Sequence, residues 1–368
     1  AMFVQAEVVH KLNLVRGLMA DLGLGGVLFR KQASFAWLTC GRRNLVGIAT
    51  ELGVASVLVT PDKQYVLCNN IEAPRIREEE FVEDMGYEIR SWPWFEDKEA
   101  AFARQLSGSG DLGCDDAFAD LSNIGGDLAK LRWALTSWEV GRYRELGFMA
   151  AHCLEDAAKT IRPGDKECSV IGRLANRLWD NGYDYITTFC AADDRIASFR
   201  HPIATERRIE NRAMLCCNVR RWGLIVSFTR FVQFGKVPDD LRRRYDANVY
   251  IDCVMMANTV PGRPAIEPFR KGLDAYKERG FEKEYELHHQ GGSIGYAGRD
   301  YKVGFQTDAV IQESQAFSWN PSISGSKSED VMLATMDGPE MLTPPVTYPT
   351  MMVEADGCVF RRPDILEM

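Results

Sequence analysis

Apolar residues recur at helical spacing near the start of the chain, at Val9, Leu12, Leu14, Leu18, Met19 and Leu22. That spacing predicts an amphipathic helix over 6–22, stopped by the glycines between Gly23 and Gly26. A strand through Val27–Leu28–Phe29 follows them. These glycines are therefore no dinucleotide fingerprint, which needs a helix at that place. Runs at 35–39, 54–60 and 64–69 read as strands, the last two joined by a turn at Asp62–Lys63. Helices are expected over 72–85, 96–107 and 117–122, with a strand at 111–114. Alternation of this kind predicts an α/β domain over 1–130.

The texture changes after that point, and a second domain is expected over 131–368. Residues 131–161 pattern as one long amphipathic helix closed by Pro163–Gly164, and 166–181 as a second that stops at Gly182. A β-rich stretch spans 185–235. Helices over 238–257 and 264–279 flank Pro261–Gly262, and 285–365 is rich in strand and turn signals. Two helices then sheet, followed by two helices then sheet, make an approximate internal echo.

Charge narrows the partners. A net charge of -8 argues against wrapping nucleic acid or an anionic membrane, since both need clustered Lys and Arg. Arg242–Arg243–Arg244 sits beside Asp239 and Asp240 and reads as a solvated helix face. No apolar run approaches the roughly 20 residues that span a bilayer, and no export signal is recognisable, so the expectation is a cytoplasmic protein. Ten Cys are scattered without a Cys-x-x-Cys pair, which leaves a structural zinc site unsupported and the thiols reduced and mostly buried. Adjacent Cys216 and Cys217 point to opposite faces of a strand.

Five His are present. His10 and His152 lie in helical patterns and read as packed or surface residues. His201 sits in the polar turn Ser198-Phe199-Arg200-His201-Pro202, and His288 and His289 open the run His-His-Gln-Gly-Gly-Ser-Ile-Gly-Tyr. Loop imidazoles beside glycines are candidates for a site. Residues 212–235 pattern as a hairpin turning near Val219–Trp222, and 315–335 as strand, loop and strand.

The order and spacing of these segments resemble the pita-bread family that includes aminopeptidase P, prolidase, methionine aminopeptidase and creatinase. The most specific match is Ser328-Glu329-Asp330-Val331-Met332-Leu333-Ala334-Thr335-Met336-Asp337-Gly338-Pro339-Glu340. The echo fits that family's duplicated helix-helix-sheet design, and 1–130 resembles the smaller domain of its aminopeptidase P and creatinase branch. The resemblance implies an α/β (α+β) fold and a homodimer.

Metal-binding members bridge two divalent cations with two Asp, one His and two Glu. Carried onto this chain, those positions hold Cys216 (or Asn218, after a two-residue slip), Ser227, Gly292, Asn320 and Glu329. One carboxylate is too few for two hard cations, so no metal and no other cofactor is expected. Creatinase is the metal-free precedent. The match implies His201 as general acid/base and Glu329 as one of the carboxylates, although Thr229 stands where creatinase has a Glu. His288 and His289 are expected near the substrate, with Arg299, Lys327 and Arg230 supplying positive charge that suits a substrate carboxylate. The alternative for Arg230 is a structural tie to Glu329 or Asp330.

Two function classes follow. One is a metal-independent hydrolase acting on a C–N bond of a small amino-acid-like or amidine-like molecule. The other is a catalytically inactive pita-bread module that binds a peptide, protein or metabolite. A Xaa-Pro-type metallopeptidase with unusual ligands is a third reading.

Overall fold

The computed structural model describes residues 2–368, with side chains from Val4 onward. It divides into two compact units. The first holds the residues up to Arg132 together with Trp222–Leu224, and the second holds Trp133–Arg221 and Ile225–Met368.

In the first unit, α1 (Met2–Leu22) leads into β1 (Gly26–Lys31) and α2 (Gln32–Leu38). Then come β2 (Leu52–Val59), β3 (Gln64–Asn69), α3 (Ala73–Glu78), β4 (Glu88–Trp92) and α4 (Glu99–Ser107), followed by β5 (Leu112–Cys114), β6 (Ser122–Asn123) and α5 (Gly125–Lys130). The sheet order is β4-β3-β2-β1-β5-β6. The hairpin at Asp62–Lys63 is present, with Val59 opposite Gln64.

Three expectations are corrected here. The run at 35–39 is helix, not strand. Phe35, Ala36, Trp37 and Leu38 are all buried, and a short segment apolar on every side carries no period to separate the two. The Gln32 amide fixes where that helix starts by donating to Thr50 O at 2.8 Å and Gly47 O at 3.0 Å. Residues 117–122 do not form a helix, because Ala119 takes a left-handed φ of 50°. The helix expected over 72–85 ends at Glu78, and Phe81, at φ 52°, separates it from a 3-10 turn at Glu83–Met85. Strand β4 was not anticipated.

The second unit opens on α6 (Ser137–Lys159). Thr136 caps it in a reciprocal box: Glu139 N–H donates to Thr136 Oγ1 at 3.2 Å, and Thr136 N–H donates to Glu139 Oε1 at 2.9 Å. Then follow α7 (Glu167–Asp180), β7 (Asp184–Ala192), α8 (Arg195–Ser198), β8 (Arg212–Arg221) and β9 (Leu224–Gln233). Next are α9 (Asp239–Ala257), α10 (Ile266–Glu278), β10 (Gly291–Ile294), β11 (Tyr301–Lys302), β12 (Gln315–Trp319), β13 (Ser322–Ile323), β14 (Ser326–Lys327) and β15 (Asp330–Ala334). Short strands β16 (Glu340–Met341), β17 (Thr350–Ala355), β18 (Cys358–Pro363) and β19 (Leu366–Glu367) complete it.

Each pair of long helices is followed by a sheet, ordered β19-β9-β8-β7 in one case and β11-β10-β12-β15-β16 in the other. Helix α9 is buried on most of its faces, and its Val249, Cys253 and Met256 join Trp319, Phe317 and Phe231 in the core. Among the described residues, no helix is long and apolar enough to cross a membrane.

Candidate functional site

The two sheets of the second unit bring chemistry-bearing strands together. Antiparallel register sets Gly292 opposite Ser318 and Trp319 opposite Asp330, so Gly292, Asn320 and Glu329 fall at one end of β10, β12 and β15. The hairpin of β8 and β9 adds Cys216, Asn218 and Ser227. A cavity of about 240 Å³ is lined by these residues except Gly292, and by Phe189, His201, His289, Arg299 and Lys327.

Glu329 is the electrostatic centre. Lys327 Nζ lies 3.4 Å from its Oε1, and Arg299 Nη2 lies 3.2 Å from its Oε2. The Thr229 hydroxyl is 3.1 Å from Oε1 and 3.1 Å from Cys216 Sγ. Burial alone pushes the Glu329 carboxyl up, but Lys327 and Arg299 outweigh it and hold the group down at about 2. Lys327 is charged despite burial, because the Glu329 carboxylate 3.4 Å away supports its ammonium. Burial raises the Cys216 thiol, which therefore stays protonated. Two cations against one carboxylate leave the floor of the cavity with net positive charge.

Such a floor does not fit a pair of hard cations. Among the five positions, only Glu329 offers an anionic oxygen, and both of its oxygens are already engaged by Lys327 and Arg299. Ser227 Oγ donates to Asn218 Oδ1 at 2.8 Å, so those two satisfy each other. At Gly292, an added Cβ would lie 2.0 Å from Tyr301 O, so no imidazole can stand there without moving the strand. The Asn320 carbonyl oxygen is buried without a partner and remains available to a ligand.

His201 and His289 line the cavity, and the His288 ring packs against both. The His288 and His201 Nε2 atoms are 3.1 Å apart, and His288 Nδ1 is 2.5 Å from His289 O. A carbonyl only accepts, so His288 carries its proton on Nδ1 and presents a bare Nε2. His201 donates to that lone pair through Nε2–H, which leaves its own Nδ1 as the unprotonated nitrogen. Phe189 stacks on the His201 ring at 5.5 Å and 18°. Arg200 anchors the loop by donating to Glu284 Oε2 at 3.3 Å and Ser324 Oγ at 3.1 Å, next to the turn that precedes His288.

All three rings have depressed pKa values. For His201 the causes are burial and then Lys327. His288 falls to about 4 by burial and Lys327, and His289 to about 3 by burial and then His288. The rings are therefore neutral at pH 7.

Arg230 does not line this cavity. It is buried, donating to Asp330 Oδ1 at 2.9 Å and Glu155 Oε1 at 3.2 Å, which is the structural tie to Asp330. Arg362 completes the network with Asp252 at 2.8 Å and Asp330 at 3.0 Å. His10 is exposed on α1, and His152 pairs with Asp156 at 3.3 Å on α6. The sequence reading missed the stacking of Phe189 and the clamp formed by Arg200 and Glu284. Strand alternation marks one face of β7 for Phe189, but nothing local to Arg200 announces a partner 84 residues away.

The model of metallopeptidase family M24 matches residues 141–337. An uncharacterized peptidase of Staphylococcus aureus strain USA300 is 21% identical over 229 residues, covering 59% of this chain and 64% of the relative. The chain thus spans just under two thirds of that relative's length. The structure of a Xaa-Pro dipeptidase from Bacillus anthracis superposes with a TM-score of 0.77 at 20% identity, covering 98% of this chain and 100% of that one. A prolidase from Pyrococcus horikoshii OT3 gives 0.78 at 17% identity, covering 92% and 99%. The fold is the expected pita-bread fold. Since the family model takes in more than half of the chain, including every candidate site residue from His201 to Glu329, the chain belongs to metallopeptidase family M24.

Proposed function

We propose that the cavity is the active site of a creatinase-like hydrolase that cleaves a C–N bond of a small, carboxylate-bearing, amino-acid-like or amidine-like substrate without the dinuclear metal centre. The observation that carries this reading is the chain His289 O···H–Nδ1 His288 Nε2···H–Nε2 His201, which leaves His201 Nδ1 as the free base beside a cationic floor. Without a metal, water keeps a pKa near that of bulk solvent, and a general base has to activate it. A neutral imidazole held in one tautomer by a partner suits that task.

His201 Nδ1 takes a proton from water, and the resulting hydroxide bonds to the carbon of the C–N bond. The imidazolium then returns the proton to the leaving nitrogen as that bond breaks. His288 is a positioning residue, acting through His201. Lys327 and Arg299 hold the substrate's carboxylate or the developing oxyanion, and Asn320 Oδ1 accepts an N–H from the substrate. Glu329 keeps the two cations in place. On the resemblance to the two-domain branch, we extend the reading to a homodimer.

The test is turnover of a panel of small amides, ureas, amidino compounds and Pro-containing dipeptides by wild type and His201→Ala. The reading expects loss of at least about a hundredfold in kcat with the fold unchanged by circular dichroism. Full activity in the variant removes His201 from the mechanism. A second reading, a binding pocket without turnover, is favoured by the complete engagement of Glu329. It expects saturable binding of a panel member with no product from either protein.

A further inference from the structure

None of His201, His288 and His289 occupies a position where this family places its metal pair, yet their rings converge. The His288 and His289 ring centres are 4.2 Å apart, those of His201 and His288 are 5.0 Å apart, and those of His201 and His289 are 6.2 Å apart. One nitrogen from each lies within 4.8 Å of the others. A tetrahedral centre with metal–nitrogen bonds of about 2.0–2.1 Å needs its ligand nitrogens about 3.3–3.4 Å apart. The His201–His288 pair, at 3.1 Å, is already close to that separation. The widest pair has to close by roughly 1.4 Å, a distance within reach of ring rotation for half-buried and exposed side chains.

We propose that His201, His288 and His289 form a mononuclear site for a zinc-class divalent cation, with water in the fourth position. The donor set is three imidazoles and no carboxylate, which selects Zn²⁺, Cu²⁺, Ni²⁺ or Co²⁺ over Mg²⁺, Ca²⁺ or Mn²⁺. Burial keeps the rings neutral, so no proton competes for their lone pairs at pH 7. His288 presents a bare Nε2, with its tautomer already fixed by the His289 carbonyl, the second-shell contact that metal-bound histidines usually have. His201 moves its proton from Nε2 to Nδ1 on binding, with no net proton release. His289 enters by giving up the bond that Gly291 N–H donates to its Nδ1 at 3.2 Å. Lys327, Arg299 and Lys302 oppose the incoming charge, and Glu329 favours it.

This inference does not rest on the hydrolase reading. Its consequence for that reading is inhibition, because a cation on His201 removes the base.

The experiment is titration of chelator-treated protein with Zn²⁺ by calorimetry and with Co²⁺ by visible absorption, with no substrate present. The expected result is one ion per chain and the d–d bands of four-coordinate Co²⁺. His288→Ala and His289→Ala should each weaken binding by about tenfold or more, and Cys216→Ser should leave it unchanged. Conservative His288→Asn and His289→Asn variants, checked by circular dichroism, guard against loss of the loop fold. Zinc affinity unchanged in both His288→Asn and His289→Asn, or a sulfur-to-cobalt charge-transfer band, overturns the site. A failed titration leaves the hydrolase reading standing, and absent turnover leaves the zinc site standing.

Discussion

Replacing Lys327 with Met strands half of the charge balance around Glu329. The ammonium sits 3.4 Å from Oε1 in a buried pocket. At an effective dielectric of 20, that separation corresponds to an attraction of about 5 kcal/mol. Removing the lysine also removes the cost of burying it, and Arg299 remains at 3.2 Å on the other oxygen. The net destabilisation at pH 7 should therefore be about 3 kcal/mol, the lower part of the range for breaking a buried pair. Its pH dependence has a definite sign. Glu329 in the native protein is held down at about 2, below its ordinary 4.5, so its stabilising contribution is full above pH 4.5 and lost as pH falls toward 2. In Lys327→Met the carboxyl titrates higher, so the gap between variant and wild type should narrow between pH 7 and pH 4. Urea unfolding followed by tryptophan fluorescence measures the difference. The double variant Lys327→Met/Glu329→Gln should recover none of it, because Arg299 is then left buried without its carboxylate. A loss below about 1 kcal/mol at pH 7, or a double variant clearly more stable than the single, would refute the assignment of Glu329 as an ion held between two cations.

Three further outcomes follow from the same geometry. Gly292→His should not create a metal site: its Cβ would fall 2.0 Å from Tyr301 O, so the variant should lose several kcal/mol of stability without taking up Mn²⁺, read by melting and elemental analysis. Arg230→Met should lower Tm by on the order of 10 °C, because Asp330 and Glu155 are left buried without their shared cation. The acidic limb of kcat/KM should have its midpoint below 6.5, since burial and Lys327 depress His201, and Lys327→Met should move that midpoint up.

The sequence reveals the parts of this site that are local and hides those that are long-range. Gly291-Gly292-Ser293-Ile294-Gly295 and the run from Ser328 to Glu340 mark their strands by residue type alone. The two-fold helix-helix-sheet order was also legible, because amphipathic spacing over segments such as α6, α7 and α10 has one reading. Short apolar runs did not have one reading: Phe35–Leu38 is buried on all sides and carries no usable period. Arg230 looked like a pocket cation because it follows Ser227-Phe228-Thr229 on a site strand. Strand alternation turns it away from Thr229 toward Glu155 and Asp330. That His201 hydrogen-bonds to His288 across 87 residues is a tertiary fact, and the tautomer argument that follows from it has no counterpart in the sequence.

The central claim, that this M24 fold hydrolyses its substrate with imidazole and fixed charge in place of two metal ions, is tested most directly by metal removal. Protein stripped with chelator and verified by elemental analysis should retain its kcat on the best substrate of the panel. Added Mn²⁺ or Co²⁺ should not increase it. Activity lost on stripping and restored by Mn²⁺, with cleavage of Xaa-Pro dipeptides, would contradict the account.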